Sequence, residues 1–381
     1  MIIECVDIFL LELPFRRPHA PETVPFSEGW PQWTGLRTVV VRLQTNRGIG
    51  WGEAAPGNGP FMTPEWSDAT FFCLRAWMVP RIVGQDIADA AQLHALLAPI
   101  KGHRYARAAL DLAWWDLQAR LKGQPLHQLL QVKETRIPLG IWLDRAESHE
   151  EFLGAIAAAF EAGYSRVGLK LRPGWDLAML NVVRQEFPTH NLMGDLEGAL
   201  GLHHMDTLCR LDDFGLRIVE QPLPPEDLVG HAMLQETLRT PICLDESITT
   251  PELADMALEL RSGKYVNINV GRVGGLTPAI AIYDACHAEC VPNYLGLNPQ
   301  SSIGIRASLA LAGRANFSYP ADYWNPSELL VQDLAEPIPL EKDEQSGTIV
   351  ACLPDAVGLG VDPNPADWGG LVCDSVQIRR Q

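Results

Sequence analysis

Apolar and polar positions change rhythm twice along the 381 residues. Ile2–Leu11 and Leu36–Leu43 alternate between the two classes, the period of a half-buried strand. The second run ends in a Thr45-Asn46-Arg47-Gly48 turn that leads into Gly48–Glu53. Together they predict a small antiparallel sheet. Pro14–Trp33, between the runs, holds five prolines and two tryptophans and reads as a long loop of the kind that serves as a lid. From Pro64 to Leu130 the period turns helical. In Tyr105–Leu121, for example, Ala108, Leu112, Trp115 and Ala119 share one stripe.

From about Ile137 short apolar runs alternate with amphipathic stretches. The runs are Leu139–Leu143, Val167–Leu171, Asn191–Asp195, Arg217–Glu220, Ile242–Asp245, Tyr265–Asn269, Asn293–Leu297 and Asn316–Tyr319. Helical stretches such as Glu150–Ala162, Leu177–Gln185, Glu226–Leu238 and Pro251–Leu260 separate them. Parallel strands need such crossovers, and a βα unit repeated about eight times closes a barrel. After Asp322 short strands and prolines return, a segment expected to pack back on the first unit. The expected fold is therefore α/β, a TIM-like barrel with an α+β capping domain formed from the N-terminal region and the C-terminal tail. The expected divisions are 1–130, 131–321 and 322–381. A doubly wound sheet is the alternative, but Gly271–Gly275 reads GRVGG and not the GxGxxG of a phosphate-binding turn.

Composition narrows the function classes. Apolar residues make up 47% and charged residues 20%, enough for a large core and against extensive disorder. Thirty Lys plus Arg against 47 Asp plus Glu give a net charge of −17. With no basic patch, nucleic acid and anionic membrane surfaces are not expected partners. No apolar run reaches the ~18 residues of a membrane span. Met1–Phe15 carries Glu4, Asp7 and Glu12 and reads as an edge strand, not a signal peptide. Eight cysteines are scattered without a CxxC pair, as expected of reduced core thiols in a cytoplasmic protein.

The chemistry is announced by a regular spacing. Lys170, Asp195, Glu220 and Asp245 each stand 25 residues from the last, in or at the end of an apolar run. One barrel repeat is one strand and one helix. Equal spacing thus predicts four consecutive strands carrying these groups at one height, near the C-terminal mouth where barrel enzymes keep their sites. Any single strand-end carboxylate is more simply a helix cap. Three at equal spacing would repel unless a cation joins them, and an all-oxygen set suits a hard ion such as Mg²⁺, with Mn²⁺ as the alternative. Lys170, inside Val167–Leu171, is expected to face inward and to need a partner. Asp144-Arg145, after the first barrel strand, is a lesser candidate for substrate contact.

These residues resemble the enolase superfamily: Asp195 in LMGD, Glu220 in VEQPL, Asp245 in CLDES and Lys170 in GLKLRPGWD. Within it they are most similar to the muconate-lactonizing subgroup, in particular to o-succinylbenzoate synthases and N-succinylamino acid racemases. WGEAAPG (51–57), KGHRYARAALDLAWWD (101–116), INVGRVGGL (268–276) and GLGVD (358–362) extend the similarity over nearly the whole chain. The resemblance implies a substrate carboxylate bound to Mg²⁺ held by Asp195, Glu220 and Asp245. It also implies Lys170 as the general base that removes an α-proton to give an enediolate.

Four positions depart from that pattern. Gly168 replaces the first lysine of the family's KxK motif. Asn269 stands where the opposed lysine is expected. Gln300, in LNPQSS, occupies the place of a glutamate, and Trp142 that of a serine; both are candidate substrate contacts. A racemase needs a base on each face of its substrate, whereas dehydration by syn elimination needs one. The expected function is therefore an o-succinylbenzoate synthase-type lyase. An N-succinylamino acid racemase or dipeptide epimerase is the alternative, and a metal-binding relative with lost or altered catalysis a third. A small carboxylate and further copies of the chain are the expected partners.

Overall fold

The computed structural model describes residues 1–19, 33–61, 63–144, 146, 148–172, 174 and 176–380. Most of the Pro14–Trp33 segment, together with Arg145, Pro173 and Trp175 from the motifs above, lies outside the described residues. Strands β1 (Ile3–His19), β2 (Trp33–Thr45) and β3 (Gly48–Ala54) open the chain. The barrel strands follow: β4 (Arg136–Leu143), β5 (Arg166–Lys170), β6 (Leu192–Asp195), β7 (Val219–Glu220), β8 (Ile242–Leu244), β9 (Tyr265–Asn269), β10 (Asn293–Gly296) and β11 (Ala321–Asp322). The chain ends with β12 (Leu340–Lys342), β13 (Ile349–Cys352) and β14 (Val372–Arg379).

The cap is an antiparallel sheet in the order β14-β1-β2-β3. β1 is thus an inner strand and not the edge its sequence suggests, because Val372–Arg379 returns from the far end of the chain to cover it. β1 also runs further than expected. It continues through Pro14 to His19, with Pro14 opposite Gly35 and His19 opposite Trp33. Pairing with β14 has already ended at Leu11, so the missing N–H of Pro14 breaks no ladder there. The helix Arg104–Lys122 lies flat on β3 because glycines leave it room. A Cβ on Gly52 would stand 2.1 Å from the Ala109 carbonyl oxygen, and one on Gly50 2.0 Å from that of Ala113.

Strands β4 to β10 pair in parallel, each with the next. β11 closes the ring on β4 through Ala321–Leu139 and Asp322–Gly140, and Phe317 bridges to Asn293 at the start of β10. The eighth strand therefore comes a few residues later than Asn316–Tyr319. That stretch runs parallel beside the start of β10, where Asn316 O accepts from Asn293 N and Ser318 N donates to Asn293 O. Local signals start and stop the helices as the pattern predicts. Thr250 caps Pro251–Leu260 through Leu253 N, and Ser148 caps His149–Ala162 through Glu151 N.

Two buried carboxylates tie distant parts of the chain together, Glu53 joining cap to barrel and Asp116 joining the N-terminal unit to the C-terminal tail. Glu53, at the end of β3, accepts from Thr38 Oγ1, from Ser301 N and Oγ, and from Gly304 N. Asp116 accepts from Trp51 N, Arg120 Nε and Leu359 N. The WGEAAPG motif thus seats the cap on the barrel, and GLGVD anchors the C-terminal tail to the N-terminal unit. All eight cysteines are free, with Cys290 and Cys373 exposed and not in the core. Among the described residues no helix is long and apolar enough to cross a membrane.

Candidate active site

The spacing of 25 becomes a row of rungs. Lys170 on β5 pairs with Asp195 on β6, and Asp195 pairs with Glu220 on β7. Glu220, however, pairs with Cys243, so Asp245 sits two residues higher, just past β8. The four groups are not at one height. Alternate residues of a strand share a face, so Asp245 still points into the mouth, from the layer above.

All three carboxylates are buried, with relative exposures of 4% for Asp195, 1% for Glu220 and 7% for Asp245. Each holds a partner of opposite polarity. Lys170 Nζ donates to Asp195 Oδ2 and to Glu197 Oε1, both at 2.7 Å. Asn267 Nδ2 donates to Glu220 Oε1 at 2.7 Å. Arg272 Nη1 donates to Asp245 Oδ1. As a result no three His, Cys, Asp or Glu side chains are gathered to metal-holding distance among the described residues. The donor set nevertheless suits a hard cation. Glu220 Oε2 is buried without a hydrogen bond, a costly state for a carboxylate oxygen that a metal would relieve. Burial, then the charges of Asp195 and Asp245, push the Glu220 carboxyl well above its ordinary range. Asp245 is also raised, by burial first, against the pull of Arg272. Glu246 rises to about 8, again by burial and then by Asp245.

The ring of eight strands puts β5 opposite β9, so Lys170 and Asn269 face each other across the mouth. Both amide ends of Asn269 are engaged. Its Oδ1 accepts from Arg272 N at 3.2 Å as the N-cap of Val270–Val273, and its Nδ2 donates to Asn298 Oδ1 at 3.2 Å. Asn298 in turn donates to Tyr105 Oη of the cap at 2.8 Å.

Trp142 is opposite Gly168 in the β4–β5 register, and its ring centre lies 4.8 Å from Lys170 Nζ. A Cβ at position 168 would come within 2.2 Å of that ring. Gly168 is therefore the space that the indole fills. The cavity between these groups measures about 40 Å³, room for a few waters.

Trp142, Lys170, Asp195, Glu220, Asp245 and Asn269 all line this cavity. Gln300 does not. It turns toward the junction with the cap, where a Cβ on Gly304 would meet Gln300 Oε1 at 2.4 Å and Glu53 Oε2 at 2.8 Å; Asn298 and Pro299 line the cavity in its place. Asp144 is engaged by Arg172 Nη2 at 2.8 Å, and its neighbour Arg145 is outside the described residues. Sequence reasoning passed over Glu197, Asn267, Arg272 and Asp322, which also line the site. A period-2 signal was available for Asn267, two residues before Asn269 on the same strand face. Glu197 lies past the end of β6 with a left-handed backbone, φ 47°, where the strand period no longer applies. Nothing in the sequence marks Asp322, which reaches the mouth from β11 while pairing with the buried Arg166.

Comparison with known proteins extends the likeness to both parts of the chain. The family described as Mandelate racemase / muconate lactonizing enzyme, N-terminal domain, matches residues 15–131. Enolase C-terminal domain-like matches residues 151–368. An N-succinylamino acid racemase of Amycolatopsis sp is 34% identical over 351 residues, 92% of this chain and 94% of that one. An o-succinylbenzoate synthase of Geobacillus kaustophilus is 34% identical over 339 residues, 89% of each. A solved enolase-superfamily member from Enterococcus faecalis V583 superposes with a TM-score of 0.89 at 28% identity, over 99% of both chains. Matched in both domains and along nearly its whole length, this chain belongs to the enolase superfamily.

Proposed function

We propose that this protein is a lyase of the o-succinylbenzoate synthase type, removing a proton alpha to a substrate carboxylate and expelling a β-hydroxyl as water. One observation carries the reading: Lys170 is the only lysine that lines the mouth among the described residues, and the group across from it is the amide of Asn269. Asp195, Glu220 and Asp245 are the residues that would hold Mg²⁺ or Mn²⁺. Such an ion supplies fixed positive charge against the negative charge that grows on the substrate carboxylate.

The chain's own groups do the rest. Lys170 Nζ takes the α-proton as the C–H bond breaks. It then delivers a proton to the departing hydroxyl on the same face, so that the C–O bond breaks, water leaves and a carbon–carbon double bond remains. Asp195 and Glu197 fix the direction of Nζ, and the Trp142 ring forms the wall beside it. Trp142, Leu297 and Trp324 line the cavity with apolar surface, which limits water at the reacting carbon.

Incubation in D₂O tests the reading. A β-hydroxy carboxylate of the succinylbenzoate-precursor kind should be dehydrated in the presence of Mg²⁺, and α-deuterium should enter from one face only. Exchange at both faces would make the protein a racemase or epimerase. No exchange and no dehydration, with bound metal verified, would make it a relative that binds without turnover.

A further inference from the structure

The barrel has a second concavity at its opposite, N-terminal end. It measures about 750 Å³ and opens between the segments that enter β6, β7, β8, β9 and β11. That is within the range of cavities that enclose small organic ligands. Its cations are Arg184 and Arg217, joined by His190, and no Asp or Glu lines it among the described residues. This is unusual for a chain with 47 acidic and 30 basic side chains, where a chance surface hollow should be acidic.

The two arginines differ. Arg184 is fixed: its Nε, Nη1 and Nη2 all donate to backbone carbonyls, those of Phe214, Phe187, His190 and Gly215. Those bonds occupy four of its five N–H donors, and among the described residues no carboxylate pairs with its charge. Burial, then the charge of Arg217, lower its affinity for its proton, so the two guanidiniums sense each other. Arg217 is exposed at the rim and makes no side-chain hydrogen bond or ion pair among the described residues. Between them stand Tyr265 and Tyr319, edge to face with centroids 6.1 Å apart. Tyr319 is held by its hydroxyl on Asn191 Oδ1 at 2.8 Å, and Pro188, Pro241 and Pro320 complete the wall.

We infer that this cavity binds a small organic anion, a carboxylate carried on a flat apolar body, with the carboxylate on Arg217 and the body against Tyr265 and Tyr319. A guanidinium offers a planar fork that matches a carboxylate. The tyrosine rings and prolines offer flat surfaces with little conformational entropy to lose. The site lies at the end of the barrel away from the reaction cavity and is independent of the proposed lyase activity.

Calorimetric titration of the whole protein with benzoate, at low salt, tests the inference. Saturable binding in the millimolar range is expected. It should weaken at least tenfold in Arg217→Glu, weaken in Tyr265→Leu, and be unchanged in Asp195→Asn, which alters only the other end. Arg217 is exposed, so its substitution should leave the melting temperature near wild type, and that measurement accompanies the titration. Benzoate binding that survives Arg217→Glu, or is lost in Asp195→Asn, would overturn the assignment, as would no saturation by 20 mM. Inorganic phosphate binding as tightly as benzoate and insensitive to Tyr265→Leu would overturn the flat-body specificity.

Discussion

If Asp195, Glu220 and Asp245 form a cation site, replacing Glu220 should reverse the order of stability depending on whether the ion is present. Glu220→Gln keeps the size of the side chain. Its amide oxygen still accepts from Asn267 Nδ2, and its nitrogen replaces an oxygen that had no partner. What it removes is a carboxyl group that the metal-free fold must either protonate or keep charged beside two others. Directly paired residues of neighbouring strands lie roughly 5 Å apart, and at an effective dielectric of about 20 two like charges at that distance cost about 3 kcal/mol. Lys170 and Arg272 offset part of that field, so a gain of about 1–2 kcal/mol in the metal-free protein is a fair expectation. Wild type, by contrast, should gain about 2.7 kcal/mol at a Mg²⁺ concentration of 100 Kd. At roughly 2 °C per kcal/mol for a chain of this size, that is a rise of about 5 °C. In scanning calorimetry, the variant should therefore melt about 2–4 °C above wild type in EDTA, and below it in saturating Mg²⁺. If Glu220→Gln melts lower in EDTA and shows the full Mg²⁺ shift, Glu220 is a hydrogen-bonding core residue and the three-carboxylate reasoning fails.

Four further outcomes follow from the same geometry. Lys170→Ala should lower turnover at least ~10²-fold while Mg²⁺ still raises the melting temperature; full activity would make the lysine structural. Wild type should not interconvert D and L N-succinylamino acids; racemisation above about 1 s⁻¹, followed by polarimetry, would reveal another group acting in place of Asn269. His231 uses Nδ1 to donate to Asp227 O and presents Nε2 to the Leu223 and Gln221 N–H donors, and burial holds its pKa below the ordinary value near 6.5. The unfolded chain then takes up a proton that the folded one refuses, so stability should fall as pH drops below about 6.5, with the fall ending at the folded pKa; His231→Gln should flatten the dependence of the melting temperature on pH in that window. Gly52→Ala places a methyl group 2.1 Å from the Ala109 carbonyl oxygen and should cost at least about 3 kcal/mol in urea unfolding, since backbone and not a pliable side chain must yield; a loss under about 1 kcal/mol would show that the helix is not held on β3 as described.

Much of the architecture is legible because a barrel repeats one instruction. Pro251–Leu260 and Tyr265–Asn269 fall where their periods place them, and most other elements differ by one to three residues at the ends, where hydrogen bonding fades. Features set by distant chain segments are not legible. The neighbour that turns Met1–Phe15 into an inner strand is 370 residues away. The proline content of Pro14–Trp33 masks a strand because proline is tolerated where one ladder has already ended. At the site, the spacing of 25 finds the strands but not the β7–β8 offset, since register depends on pairing and not on counting. Gln300 misled for a related reason: three consecutive residues after β10 compete for one place at the mouth, and Asn298 and Pro299 take it. Partners such as Arg272 and Asp322 depend on folding alone.

The departures from the family pattern are linked physically, and that bears on what the site does. Gly168 and Trp142 are one exchange, because they are direct neighbours in the β4–β5 register and the ring fills the volume any side chain at 168 would need. On the face of β5 shared by 168 and 170, an ammonium group has been traded for the face of an indole, which attracts the remaining ammonium of Lys170 where a second lysine would repel it. Across the mouth Asn269 has taken up a task a lysine cannot perform. It caps Val270–Val273 through Arg272 N, and through Asn298 it reaches Tyr105 of the cap. Replacing it with lysine would forfeit the cap, at about 1 kcal/mol, before any proton could be moved. A site merely decaying would lose its groups independently. Here the positions where the resemblance implies lysines hold groups with partners of their own, on both sides, beside the three carboxylates. Under the proposed function, such an arrangement suits chemistry from the Lys170 face and works against gaining two-sided proton exchange by any single substitution.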